Sequence, residues 1–320
     1  MCIRLLSFVG LAMLLGVSAK GGDAITNSST ELSEEPSRAV LFREYVAKPI
    51  RDQEERDAAA GKLSSFALKR VFKFPHDAIH DDIQNTDRHG VIFGIDTSHY
   101  TKKTIALGVL RDSKVDFVYT KATQGVNYTD NSFEFFWKGI ANLPAEKRPL
   151  RGAYHFLSSQ DDPEAQAKHF ANYVQRYGGI KKDDLAPCLD LEWDVTKPNQ
   201  PDRWAGQSGE KILEKVLVWL RTTEKLTGRK PVVYTALSWW KDRRIDLKEI
   251  KQLKDYSIWV ADYSTAHLGT EKPATFTDRT QDLWQFSEKA RLNVGYDDDL
   301  DANIFYGSRD KLEQIFGVTR

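Results

Sequence analysis

Two carboxylates interrupt an apolar stretch, "LAPCLDLEWDV" at 185–195, where Asp190 and Glu192 stand two residues apart. Acidic side chains are seldom buried unless they are paired or used in chemistry. If this stretch is a strand, both acids point to the same face, with their Cα atoms roughly 6.6 Å apart. Crowding two carboxyl groups there should raise the pKa of at least one. Cleavage of a glycosidic bond uses such a pair, one acid protonated and the other ionised.

The spacing alone leaves a structural alternative open, in which Lys121 or Arg151 on a neighbouring strand neutralises the pair. Further acids extend the candidate site: Asp96 closes an apolar run, and the acidic string "DDDLD" at 297–301 lies near the last predicted strand. Asp96 could instead cap a turn, and the acidic string could be a solvated loop or a loose calcium site, although it lacks an ordered ligand spacing. With no metal-ligand spacing and no Gly-rich phosphate loop elsewhere, the sequence predicts neither a metal nor a cofactor.

The elements that must position these acids are apolar strands alternating with amphipathic helices. This pattern predicts a mostly parallel sheet covered by helices, and about 230 residues with seven or eight strands fit a barrel. Little room for helices remains after residue 257, so we expect an α/β fold that is a modified, incomplete TIM-like β/α barrel whose last strands are joined by loops. The predicted strands are 91–96, 115–123, 150–156, 186–193, 230–235, 257–263 and 282–286, and the predicted helices are 132–142, 163–177 and 209–227.

Composition and the N-terminal sequence indicate where the protein acts and which partners it can bind. Its 320 residues carry 46 basic and 46 acidic side chains, so no net field attracts nucleic acid or an anionic membrane, and two cysteines exclude a disulfide framework. Residues 1–19 have the charged start, apolar stretch and small-residue end of a secretory signal peptide. We therefore expect a secreted monomer without a membrane span after cleavage, in which 20–90 form a disordered or helical leader and 91–320 form the barrel.

Two strings in the leader resemble the N-terminal motifs of oomycete secreted effectors of the RxLR-dEER type. These are "RAVLFR" at 38–43 and "DQEER" at 52–56. The resemblance implies a host-directed secreted protein. The alternative is an ordinary charged propeptide or linker.

Eight strings in the barrel region resemble, in order, those of glycoside hydrolase family 25, the muramidases that look like the Chalaropsis-type lysozyme. The resemblance implies hydrolysis of the β-1,4 bond between N-acetylmuramic acid and N-acetylglucosamine in bacterial peptidoglycan. It also implies that Glu192 is the general acid/base, that Asp190 assists the substrate's acetamido group, and that Asp96 and Asp301 complete the acidic site. The strings are "FGIDTSHY" (93–100), "FVYTKATQG" (117–125), "GAYHF" (152–156), "LDLEW" (189–193), "PVVYT" (231–235), "IWVADY" (258–263), "LWQFS" (283–287) and "DANIF" (301–305).

Aromatic residues near the predicted strand ends are candidates for stacking on sugar rings. We assign substrate binding to Tyr154, Tyr234, Tyr263 and Trp284. His155 alternates away from Tyr154 and is expected to be a hydrogen-bonded core histidine.

Two competing functions remain open. One is a chitinase-like hydrolase, which the sequence disfavours because Cys188 stands four residues before Glu192, where that family has a further acid. The other is a catalytically silent effector that binds glycan or a host protein.

Overall fold

The computed structural model describes residues 71–196, 200–263, 269, 273 and 281–319. The predicted signal peptide and both leader strings lie outside these residues. The strands are β1 (Lys73–Phe74), β2 (His80–Asp81), β3 (Thr86–Asp87), β4 (Val91–Thr97), β5 (Phe117–Gln124), β6 (Tyr128–Thr129), β7 (Leu150–Phe156), β8 (Cys188–Leu191), β9 (Val232–Ala236), β10 (Ser257–Ala261), β11 (Leu283–Leu292) and β12 (Leu300–Tyr306).

The helices lie between these strands and follow the last of them. In the described part of the chain, no helix combines the length and the apolar character needed to cross a membrane. The α-helices are α1 (His76–Ile79), α2 (Phe133–Ala141), α3 (Pro163–Arg176), α4 (Gly209–Thr227), α5 (Leu237–Asp242), α6 (Leu247–Ile250) and α7 (Arg309–Ile315), and the 3-10 turns are Leu107–Val109, Ala145–Lys147 and Lys251–Leu253.

Eight of the described strands form a closed ring in the order β4-β5-β7-β8-β9-β10-β11-β12. Neighbours from β4 to β11 are parallel, whereas β12 runs antiparallel to both β11 and β4 and so closes the ring. Only 293–299 join β11 to β12, which is too short for a parallel crossover. The predicted α/β fold, a modified TIM-like barrel with a loop between its last strands, is therefore confirmed.

Helix α4 shows how the sequence specifies the outer layer. Ser208 accepts a hydrogen bond from the backbone N–H of Lys211 at its start, and Gly228 ends it in the left-handed conformation with φ 66°. Buried side chains at helical spacing, such as Val216 and Trp219, place one face of α4 against the barrel. The predicted helix over 209–227 is confirmed.

The core also includes residues that the sequence assigned to the leader. Phe72 and Phe74 are fully buried, and β1 pairs in parallel with β11. The ring of Phe72 lies 4.9 Å from that of Phe286 and 5.2 Å from that of Phe93, centroid to centroid. The packed structure therefore extends before residue 91, a contribution that a two-residue strand is too short to reveal by periodicity.

His155 lies between the barrel and the helices rather than inside the barrel. Its Nδ1 is 2.7 Å from the Thr123 hydroxyl, its Nε2 is 3.1 Å from Gln166 Oε1, and its ring stacks on Trp219. Burial lowers the pKa of His155 from 6.5 to about 3. His155 is thus a core histidine, as the alternation along β7 indicates.

The buried imidazole predicts a loss of stability in acid. The unfolded chain takes up a proton near pH 6.5, whereas the folded protein does so only near pH 3, so the free energy of unfolding falls as pH drops below 6.5. By pH 5 this one group should contribute a loss of about 2 kcal/mol. Urea unfolding of the wild type and His155→Gln at pH 7 and pH 5 measures it. Equal losses in both proteins would contradict the assignment.

Candidate active site

The acid pair on β8 lies at the carboxyl end of that strand. Asp190 is in register with Phe156 on β7 and Tyr234 on β9, and Glu192 follows directly after the strand. Both acids are buried, with exposed fractions of 2% and 6%. Leu189 and Leu191, which alternate with them, belong to the hydrophobic core. The strand therefore separates its acids from its leucines as its sequence predicts.

The other two predicted acids form a cross-strand pair. Asp301 on β12 lies directly opposite Asp96 on β4 in an antiparallel ladder, so both side chains share one face of the sheet. Asp96 is buried, and Asp301 is half-buried. Because β12 runs against the other strands, its amino end meets the carboxyl ends of β4 and β8. All four acids therefore belong to the rim where barrel enzymes place their active sites.

Two buried amides hold Asp96 in place. Gln285 donates from Nε2 to Asp96 Oδ2 at 2.5 Å, and Asn303 donates from Nδ2 to the same oxygen at 2.9 Å. Asn303 Oδ1 accepts in turn from the indole N–H of Trp259 at 2.9 Å. Neither amide is among the site residues predicted from the sequence, although each is a polar residue within an apolar strand string.

The predicted aromatic residues separate into two groups. Tyr234 and Tyr263 donate their hydroxyls to Gln285 Oε1, the former at 2.7 Å, and both are almost fully buried. Tyr154 is also buried and lies in register with Lys121. Trp284 points to the opposite face from Gln285, is fully buried, and donates its indole N–H to the Asp262 carbonyl at 2.8 Å.

The structure therefore brings the three tyrosines to the barrel interior but does not bring Trp284 there. Adjacent residues of a strand take opposite faces, so Gln285 and Trp284 cannot both face the acids. Tyr234 and Tyr263 reach Asp96 through Gln285, which makes them supports of the acidic site.

The two cations considered as structural partners of the β8 acids have other contacts. Arg151 lies outside the barrel, where its Nε donates to Asp184 Oδ1 at 2.6 Å. Lys121 is buried and donates to Gln124 Oε1 at 2.5 Å. Its ammonium also lies 5.1 Å from the centre of the Phe156 ring. Lys121 therefore brings positive charge to the strands beside the acids.

The loop after β4 forms one side of the rim. The backbone N–H of His99 donates to Asp130 Oδ2 at 3.0 Å, and His99 Nδ1 lies 2.9 Å from that oxygen. Burial acts to raise the pKa of Asp130, but hydrogen bonds from His99 and Ser132 outweigh it and lower that pKa. The His99 ring packs against the exposed ring of Tyr100 at 3.8 Å. A buried carboxylate thus fixes an aromatic surface at the rim.

Two other clusters of side chains contain residue types that can bind metal ions. In the acidic string, Asp298 pairs with Lys102 at 2.9 Å and Asp299 with Arg291 at 2.8 Å, so these carboxylates serve ion pairs. Ligand atoms of His76, Asp77 and Asp82 lie within 4.8 Å of one another. Asp77 Oδ2 there accepts from the backbone N–H of Lys73 at 2.8 Å, which ties α1 to β1.

A closed β/α barrel with carboxylates at the carboxyl rim is an architecture of glycoside hydrolases, and the relatives of this chain agree. The chain belongs to glycosyl hydrolases family 25, whose family model matches residues 95–294. It is 29% identical to Lysozyme M1 of Streptomyces globisporus over 223 residues, 68% of this chain and 69% of that protein. It is 31% identical to the N,O-diacetylmuramidase of Chalaropsis sp over 150 residues, 46% of this chain and 67% of that protein.

A solved structure shows the same similarity at the level of the fold. The bacterial lysozyme from Streptomyces coelicolor aligns with a TM-score of 0.60 and 27% identity over 73% of this chain and 100% of that one. The chain is therefore a glycoside hydrolase with the family's barrel.

Proposed function

We propose that this protein is a muramidase that hydrolyses the β-1,4 bond between N-acetylmuramic acid and N-acetylglucosamine in bacterial peptidoglycan. The observation that carries the proposal is the placement of Asp96, Asp190, Glu192 and Asp301 at one rim of a family 25 barrel. Relatives named as a lysozyme and an N,O-diacetylmuramidase support the substrate class.

Glu192 is proposed as the general acid/base. In the first step its carboxyl proton passes to the glycosidic oxygen as the bond to the anomeric carbon breaks. In the second step the resulting carboxylate takes a proton from water, which attacks the anomeric carbon. The Trp204 indole N–H donates to the Glu192 carbonyl at 3.1 Å and so fixes the backbone that carries this side chain.

Asp190 is proposed to act on the acetamido group of the cleaved sugar. The acetamido oxygen attacks the anomeric carbon, so no enzyme nucleophile is required and the configuration is retained. The Asp190 carboxylate orients the acetamido N–H and stabilises the positive charge that develops on that group. Its backbone carbonyl accepts from the N–H of Leu157 at 3.0 Å, which ties the ends of β7 and β8 together.

The setting of the reaction is proposed from the N-terminal sequence. Residues 1–19 direct secretion, and the predicted leader, of which 71–90 pack with the barrel, acts through residues 20–70 as a leader of the effector type ahead of a monomeric enzyme. The target would then be the walls of bacteria outside the producing cell.

Hydrolysis of purified peptidoglycan and of chitin tests this function against its alternatives. The wild-type protein should release reducing ends from peptidoglycan and not from chitin. Release from chitin alone would instead support a chitinase-like enzyme. Binding to peptidoglycan without release of reducing ends from either polymer would support the silent effector.

A further inference from the structure

The orientation of the Asn303 side-chain amide beside Asp96 is fixed by the neighbouring indole of Trp259. The indole N–H of Trp259 only donates, so the atom of Asn303 that lies 2.9 Å from it must be the carbonyl oxygen. The amide nitrogen of Asn303 therefore faces Asp96 Oδ2, at 2.9 Å. This oxygen of Asp96 must accept a hydrogen bond and carries no proton.

Gln285 presents the same arrangement from the neighbouring strand β11. Its Oε1 receives the hydroxyls of Tyr234 and Tyr263, and its Nε2 donates to Asp96 Oδ2 at 2.5 Å. A flipped amide would set its carbonyl oxygen against Asp96 and its nitrogen between two phenols. Two N–H donors thus converge on one carboxyl oxygen in a site where Asp96, Gln285 and Asn303 are almost fully buried.

We propose that Asn303 and Gln285 are positioning residues that hold Asp96 in its carboxylate form, so that Asp96 is a fixed negative charge rather than a proton donor. Hydrogen bonds to the charged form of a carboxyl group favour that form. Protonation of this oxygen of Asp96 would weaken both bonds, and Asn303 cannot turn to accept without breaking its contact with the Trp259 indole, which only donates.

The acids then have different roles in catalysis. This part of the proposal rests on the proposed function. Asp96 stabilises the positive charge that develops at the reacting sugar, and the proton that leaves with the glycosidic oxygen comes from Glu192. Asp301, directly opposite Asp96, shares the same face. The titratable side chains on the neighbouring inward positions of the strand ladder are Tyr119, Lys121, Tyr154, Cys188, Asp190, Tyr234 and Asp301.

The protonation state can be measured without any turnover. The full chain is labelled with ¹³C at the aspartate carboxyl groups, and the signal of Asp96 is identified by its loss in Asp96→Asn. We expect this signal to keep the carboxylate shift at every pH at which circular dichroism shows a folded protein. A signal that titrates near the ordinary aspartate value of about 3.9 in the folded wild type would overturn the proposal.

Variants of the residues around Asp96 test whether the amides keep its carboxyl group ionised. In Asn303→Leu the Asp96 signal should titrate within the folded range, whereas in Asn142→Leu, at the exposed end of α2, it should behave as in the wild type. Trp259→Phe removes the donor that orients Asn303 and should shift the Asp96 signal in the same direction, which provides a second variant if Asn303→Leu does not fold. An Asp96 signal unchanged in both variants would overturn the role of the amides.

Kinetics then connect the carboxylate to catalysis. Asn303→Leu should lower kcat by about 10-fold or more, with a larger loss at acid pH and little change in KM. If the wild type fails to cleave peptidoglycan while the Asp96 signal still behaves as expected, the proposed function fails and the protonation state of Asp96 stands.

Discussion

Replacing Glu192 by Gln is expected to lower kcat on peptidoglycan by about 10²–10⁴-fold, because the amide cannot protonate the leaving oxygen or take a proton from water. The change keeps the size of a side chain that is 6% exposed, so the fold should survive. KM should change little, since the lost interaction acts mainly in the transition state. The clearing of a peptidoglycan suspension measures the rate.

Glu214→Gln is the matched control, because Glu214 is exposed on the outer helix α4. That variant should clear the suspension at the wild-type rate. If Glu192→Gln were as active as Glu214→Gln, the acid/base assignment would be wrong.

Replacing Asp190 by Asn is expected to lower kcat by about 10²–10³-fold through loss of the charge that supports the acetamido group. The effect should depend on the substrate, since a glycan whose muramic acid lacks the N-acetyl group offers nothing for Asp190 to orient. On that glycan the wild type should be slow, and Asp190→Asn should add little further loss. Rates of soluble saccharide release from both substrates give the comparison.

Asp255→Asn, an exposed change before β10, controls for the loss of one aspartate charge. It should leave both rates unaltered. Equal losses for Asp190→Asn on acetylated and deacetylated glycan would falsify the acetamido role and leave Asp190 as a general electrostatic group.

The sequence predicts the parts of this site that depend on neighbouring residues, and not the parts that depend on contacts between residues far apart in the chain. Alternation within one strand places Asp190 and Glu192 on one face and Leu189 and Leu191 on the other, so the sequence alone predicts this separation. The family resemblance implies that Asp96 and Asp301 belong to one acidic site, but their direct pairing joins the first and last strands of the barrel and follows from no local pattern.

The amide network around Asp96 could not be predicted in the same way. Its hydrogen bonds join residues 189 and 207 positions apart, Asp96 with Gln285 and Asp96 with Asn303, and depend on the register of the closing strands. The motif around Trp284 predicts a substrate contact, whereas alternation along β11 places this side chain on the face opposite Gln285. The burial of Phe72 depends on β11 in the same way, since no local pattern marks it.

The chemical identity of the new reducing end tests the central claim most directly. Peptidoglycan digested by the wild-type protein is reduced with borohydride, and the hydrolysed saccharides are analysed for their amino sugar alcohols. We expect muramitol as the product that appears with time and that is missing after digestion by Glu192→Gln. Glucosaminitol in its place, or no new reducing end at all, would contradict the assignment of this barrel as a muramidase.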